Sequence, residues 1–106
     1  MKILVVEDEP GIASFLKQGL EEEYFPTDIA EDGIKGLSLA LTGNYDLLLL
    51  DWMLPGLSGI EVCEQFRAKF KTTPVIFLTA KDTIRETITG LQAGALVFLG
   101  VPGGER

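Results

Sequence analysis

Four oxygen-bearing side chains follow directly on apolar runs of this sequence. Glu7 and Asp8 come after Ile3-Leu4-Val5-Val6, Asp51 after Leu47-Leu48-Leu49-Leu50, and Thr79 after Pro74-Val75-Ile76-Phe77-Leu78. Carboxylates gathered in one place repel one another, and at least one is driven to a raised pKa unless a cation screens them. Oxygen ligands of this kind suit Mg²⁺ or a similar hard cation, which keeps several waters and uses few protein carboxylates. Taken singly, each acid is equally an ordinary cap or a solvated loop position. Whether the four act together depends on the elements that carry them.

Those elements alternate. Ile3 to Val6 is a short β-branched run of the kind buried on both faces of a sheet. Pro10 is placed for a first helical turn, and Ile12, Leu16 and Leu20 recur every four residues on one stripe. Glu21-Glu22-Glu23 sits badly at the negative end of that helix, which predicts fraying there. Thr27 to Ala30 reads as a less apolar strand near a sheet edge. Asp32-Gly33 opens a second helix, with Ile34, Leu37 and Leu41 on its inner face and Gly43-Asn44 at its end. The four leucines at 47–50 are too few for a helix and read as a central strand.

Trp52 to Leu57 is a loop, and Ser58 and Glu61 have capping-box spacing for a third helix whose Val62, Phe66 and Phe70 face inward. Pro74 to Leu78 is a fourth strand. Ile84, Ile88 and Leu91 mark a fourth helix ended by Gly94, and Val97 to Leu99 a fifth strand. Strand and helix in strict alternation imply a parallel sheet with helices on both faces and right-handed crossovers. In such sheets ligands bind outside the carboxyl ends of the strands, at the topological switch point. Glu7, Asp8, Asp51 and Thr79 all stand at those ends, so the fold predicts one acidic crevice.

Composition narrows the chemistry. The chain has 106 residues, one domain's worth, with 16 acidic against 9 basic residues and a net charge of -7. That balance disfavours direct contact with nucleic acid and suits a divalent cation or a basic protein face. There is no histidine, which removes histidine metal sites, histidine bases and Ser-His-Asp triads. The single cysteine, Cys63, allows no internal disulfide, fits a reducing compartment and reads as a core filler. The N-terminal apolar run is too short for a signal peptide or a membrane span, so a cytoplasmic protein without membrane contact is expected.

The run Asp51-Trp52-Met53-Leu54-Pro55-Gly56-Leu57-Ser58-Gly59-Ile60-Glu61 resembles the phosphorylation loop of response-regulator receiver domains, in the style of the winged-helix transcription-factor subfamily. Val5-Val6-Glu7-Asp8-Glu9 is similar to that family's acidic pair, and Leu78-Thr79-Ala80-Lys81-Asp82 to its switch threonine and following turn. Gly90-Leu91-Gln92-Ala93-Gly94-Ala95 resembles the end of its fourth helix. The resemblance implies a flavodoxin-like, doubly wound sheet of order 2-1-3-4-5, with a receiver over residues 1–100 and a loose tail over 101–106. It implies that Asp51 accepts a phosphoryl group from the phosphohistidine of a sensor histidine kinase. Glu7, Asp8, Asp51 and the backbone carbonyl of Met53 would hold Mg²⁺, and Thr79 would hydrogen-bond the phosphoryl oxygens beside a small Ala80. Phe98 falls on the family's aromatic switch position, although an aromatic in a strand is as readily plain core. Trp52 reads as a shielding or surface residue at the rim.

The pattern departs at the fifth strand. The family's acidic pair is replaced by Leu96-Val97, its lysine by Val101, and its fifth helix is missing. A lysine ammonium beside a phosphoryl oxygen is worth on the order of 4 kcal/mol at an effective dielectric of about 20, before desolvation. Lys81 is a candidate substitute cation. The missing helix predicts an uncovered apolar face and a homodimer, with exchanged elements as one route. The alternative is a degenerate receiver that works through protein interaction without productive phosphorylation. A Mg²⁺-dependent phosphatase-like hydrolase fits less well, since Met53 stands where a second carboxylate would be needed beside Asp51. A signalling phosphoacceptor with weak self-dephosphorylation, not a conventional enzyme, is the expected class.

Overall fold

The computed structural model describes residues 1–78 and the backbone of Val97–Leu99. Strands and helices alternate as β1 (Ile3–Val6), α1 (Pro10–Glu22), β2 (Thr27–Ala30), α2 (Gly33–Ala40), β3 (Leu47–Asp51), α3 (Gly59–Lys69), β4 (Val75–Leu78) and β5 (Val97–Leu99). All pairings are parallel, and the strand order is β2-β1-β3-β4-β5. The expected doubly wound sheet of order 2-1-3-4-5 is therefore the fold. Thr79, Ala80, Lys81, the expected fourth helix with Gly94, the side chain of Phe98 and the tail from residue 100 lie outside the described residues.

Each central strand is buried on both faces because helices cover both. On one side α2 and α3 close over Leu4, Val6, Leu48, Leu50 and Phe77. On the other, Ile12, Leu16 and Leu20 of α1 pack on Ile3, Val5, Leu49 and Leu78. The Ser58–Glu61 capping box forms as the spacing predicts, with Glu61 N–H donating to Ser58 Oγ at 3.2 Å and Ser58 N–H to Glu61 Oε2 at 3.2 Å. Val62 and Phe66 are buried, Phe70 stacks on Phe66 at 5.0 Å, and Cys63 is a fully buried filler.

Two local expectations need correction. Ile34 is not on the inner face of α2: it is 63% exposed. The buried stripe consists of Gly33, Gly36, Leu37 and Ala40, because α2 lies so close to β1 that a Cβ on Gly36 would meet Val6 Cγ1 at 2.6 Å. Small residues mark this interface, and a count of large apolar side chains overlooks them. The second correction concerns the acidic end of α1, which is closed by a hydrogen-bonded turn. Tyr24 N–H donates to Glu21 O at 3.0 Å and Phe25 N–H to Leu20 O at 3.0 Å, a Schellman closure. Phe25 and Leu20 complete it by packing in the same cluster. Tyr24 occupies the left-handed position at φ 67°, where glycine is usual.

Candidate functional site

The site is built at the carboxyl ends of β1 and β3, which pair directly with Val6 opposite Leu50. Asp51 is the last residue of β3, not the first after it, and its ladder partner on β4 is Leu78. Pinned within the sheet, Asp51 is 1% exposed, as is Glu7, whereas Asp8 is exposed. A carboxylate oxygen from each of Glu7, Asp8 and Asp51 lies within 4.8 Å of the others. The strand-end rule thus brings together the three acids that the sequence singled out. Thr79 follows Leu78 directly in the chain, but it and Lys81 lie outside the described residues.

Crowded acids leave an electrostatic signature. Burial pushes the Glu7 carboxyl up to about 7, and the neighbouring Asp51 charge pushes in the same direction. Hydrogen bonding from Glu9 N–H to Glu7 Oε2, at 2.9 Å, opposes the rise without cancelling it. A hard divalent cation fits such a donor set: two buried carboxylates and one exposed one, all oxygen, with room for water on the Asp8 side. An open cleft of about 550 Å³ adjoins it, lined by Asp8, Trp52, Met53, Leu54, Pro55 and Ser58.

The loop at 52–58 forms the wall of this cleft. Met53 N–H points at Asp51 Oδ1 across 3.4 Å, so the loop turns back over the acid. Trp52 is half-buried against Phe77, with ring centroids 5.2 Å apart, and so shields the site's flank as expected. Two glycines, each at the first position of a helix, hold this loop. Gly59 N–H donates to Trp52 O at 3.1 Å, and a Cβ there would lie 2.2 Å from the Asp51 carbonyl oxygen. Gly33 N–H donates to Pro55 O at 3.0 Å, and a Cβ there would lie 1.8 Å from Leu57 O. The sequence pattern marks Asp32-Gly33 as a helix opening and Ser58 as a cap, and gives neither glycine this contact role. The available signal was a poor helix former directly after each cap, which often means close approach of another backbone.

Comparison with known proteins decides the family. A family model described as the response regulator receiver domain matches residues 3–103. This chain belongs to the response-regulator receiver family. The receiver is 48% identical over 94 residues to the response regulator ArlR of Staphylococcus saprophyticus, covering 89% of this chain and 42% of that protein. It is 42% identical over 102 residues to the transcriptional regulatory protein CusR of Escherichia coli, covering 96% of this chain and 45% of the relative. The chain thus spans less than half the length of these curated relatives. Among solved structures, the receiver domain of the Francisella response regulator 1452 superposes with a TM-score of 0.88 at 40% identity, over 95% of this chain and 84% of that one. The activated receiver of Klebsiella pneumoniae RstA superposes with a TM-score of 0.90 at 27% identity, over 98% of this chain and 88% of that one. No helix among the described residues is long and apolar enough to cross a membrane.

Proposed function

We propose that this receiver is a phosphoacceptor, with Asp51 taking a phosphoryl group from the phosphohistidine of a sensor histidine kinase. The observation that carries the proposal is the meeting of Glu7, Asp8 and Asp51 oxygens within 4.8 Å at the switch-point end of the sheet. In the reaction, an Asp51 carboxylate oxygen attacks phosphorus, the N–P bond breaks, and the imidazole leaves with its electron pair and takes up a proton. The product is an acyl phosphate on Asp51.

Transfer of this kind asks little covalent chemistry of the protein and much positioning. Glu7, Asp8, Asp51 and the Met53 carbonyl are the residues proposed to hold Mg²⁺, which when bound supplies positive charge against the phosphoryl oxygens. Rigid placement of Asp51 in β3 fixes the nucleophile, and Trp52 against Phe77 keeps solvent from one flank. Thr79 is proposed to donate its hydroxyl to a phosphoryl oxygen, and Lys81 to substitute for the family lysine whose position is Val101 here. One solved relative, RstA of Klebsiella pneumoniae, is described as BeF3-activated, and the same treatment of this chain is a further use of the proposed site.

Phosphoramidate carries the same N–P bond and tests the reading without a cognate kinase. With Mg²⁺ present, intact-mass spectrometry should find a phosphoryl adduct that Asp51→Asn abolishes. A wild-type chain that stays unmodified would sink the proposal. Replacing Lys81 by Ala should slow uptake, and an unchanged rate would remove Lys81 from the site.

The second reading, a receiver that acts by protein interaction without productive switching, draws on Leu96-Val97 and Val101 at positions where the family carries acids and lysine. A homodimer belongs to both readings. In its support, Leu47 and Ile76 on the α1 side of the sheet are half-buried apolar residues. Light scattering that finds only monomer at high concentration would exclude it. The setting proposed is cytoplasmic, with no direct contact to nucleic acid.

A further inference from the structure

The acidic cluster depends on a loop, and that loop rests on a helix that contributes nothing to the cluster itself. At 52–58 the chain leaves β3, turns back over Asp51 and enters α3. Its last contact, Gly59 against the Asp51 carbonyl, belongs to the same β3–α3 unit. The middle of the loop is held from outside that unit, by the first turn of α2. Gly33 N–H donates to Pro55 O at 3.0 Å, while its Cα stands so close to the loop that a Cβ would lie 1.8 Å from Leu57 O and 2.6 Å from Leu57 C. Next along α2, Ile34 lies over Gly56, where a Cβ would meet Ile34 Cγ1 at 3.1 Å.

The contact at Gly33 is backbone against backbone, so no side chain can swing aside to relieve an added methyl group. The α2 end is itself fixed, because Asp32 Oδ1 accepts from Lys35 N–H at 2.7 Å and so caps the helix. Gly33 is also the first helical residue, where an alanine backbone would be entirely acceptable. Helix formation therefore gives no reason for glycine at this position; the approach of the loop does. Exposed Ile34 is explained in the same way, since a large apolar side chain left 63% in solvent still covers the loop's turn at Gly56.

From this we infer that Gly33 is a positioning residue for the acidic site, acting through the 52–58 loop, with Ile34 as its neighbour in the same contact. Cation binding at an oxygen cluster is sensitive to the groups that orient the ligands, and losing one such partner typically costs about 10–100-fold in affinity. Displacing the loop moves Met53, whose carbonyl is a proposed ligand, and Trp52, the chain's only tryptophan. The inference rests on the Mg²⁺ site proposed above, but it assigns a role to residues outside that site.

The test is a Mg²⁺ titration of the whole chain followed by Trp52 fluorescence, comparing wild type with Gly33→Ala, Ile34→Ala and Leu16→Ala. Leu16 lies on α1 and packs on the opposite face of the sheet from the loop, so its truncation lowers stability without touching the loop contact. Gly33→Ala should weaken Mg²⁺ binding by about tenfold or more and shift Trp52 emission in the metal-free protein. Leu16→Ala should lower the melting temperature yet bind within about twofold of wild type below its melt. Ile34→Ala, at an exposed position, should fold normally and bind about two- to fivefold more weakly. If Gly33→Ala fails to fold, Ile34→Ala decides alone, and unchanged affinity there overturns the inference. A folded Gly33→Ala that binds like wild type, or losses that merely track stability in all variants, would overturn it as well. A wild type with no Mg²⁺ response would instead remove the proposed site, and this inference with it.

Discussion

The two ends of the sheet treat charge in opposite ways. At the amino ends of β1, β2 and β3, Asp28 and Asp46 each meet a donor. Tyr45 Oη donates to Asp28 Oδ2 at 2.6 Å, Lys2 Nζ lies 3.4 Å from the same oxygen, and Lys2 N–H donates to Asp46 Oδ2 at 2.7 Å. Asp28 is held below its usual range, chiefly by the Tyr45 hydrogen bond, and burial with the Asp28 bond pushes Tyr45 up to about 12. At the carboxyl ends, Glu7, Asp8 and Asp51 face one another, and Glu7 is pushed up to about 7. One sheet thus carries a compensated end and a crowded end whose carboxylate oxygens could hold a cation. The lesson is that acids set apart can each meet their own donor, whereas acids gathered at strand ends push a pKa up.

The contrast can be broken most strongly by pH. Glu7 holds its proton more tightly in the folded chain than its usual 4.5 in the unfolded one. Between those values the native state carries the extra proton, so the contribution of Glu7 to stability is fully present below about 4.5 and is lost as pH rises through about 7. The full loss for a rise of this size is about 3 kcal/mol. Urea unfolding without Mg²⁺ at pH 5 and pH 8 should show the wild type losing more stability than Glu7→Gln over that interval. Saturating Mg²⁺ at pH 8 should restore most of the difference. Equal slopes in the two proteins would mean that the crowded end carries no such cost.

At the compensated end the expected effect is smaller and of a different kind. Tyr45→Phe removes one hydrogen bond to a carboxylate and should cost about 1–2 kcal/mol. It should leave Mg²⁺ affinity unchanged. If it weakened binding, the two ends would be coupled through the sheet, not independent. The smallest change belongs to the turn after α1, near the same end. Tyr24 holds φ 67° while 91% exposed, so it gains no burial for its backbone strain. Tyr24→Gly should stabilise the chain by up to about 1 kcal/mol in thermal or urea melts, and a loss would contradict the assignment of strain there.

Much of this was legible before the coordinates. The four leucines at 47–50 could only be a buried strand, and the alternation around them fixed a parallel sheet. From there the strand-end rule brought Glu7, Asp8 and Asp51 together without any knowledge of distance. Side chains carried less information where packing is set by what is small. Ile34 had the right spacing for an inner face, but the close approach of α2 to β1 gave that face to Gly33, Gly36 and Ala40. The Tyr45–Asp28 bond joins the loop before β3 to strand β2, which no local pattern connects. The Schellman closure at Tyr24 was hidden for a third reason, since an exposed tyrosine in place of glycine disguises the signal. Thr79 and Lys81 remain proposals from the sequence and the family resemblance.

The most direct test of the account locates the phosphoryl group. Wild-type chain is incubated with acetyl phosphate and Mg²⁺, the acyl phosphate is trapped by borohydride reduction, and the modified residue is identified by tandem mass spectrometry. The account predicts modification at Asp51 alone, dependent on Mg²⁺, with none at Asp28 or Asp46 of the compensated end. Modification spread over surface carboxylates, or persisting in Asp51→Asn, would contradict it.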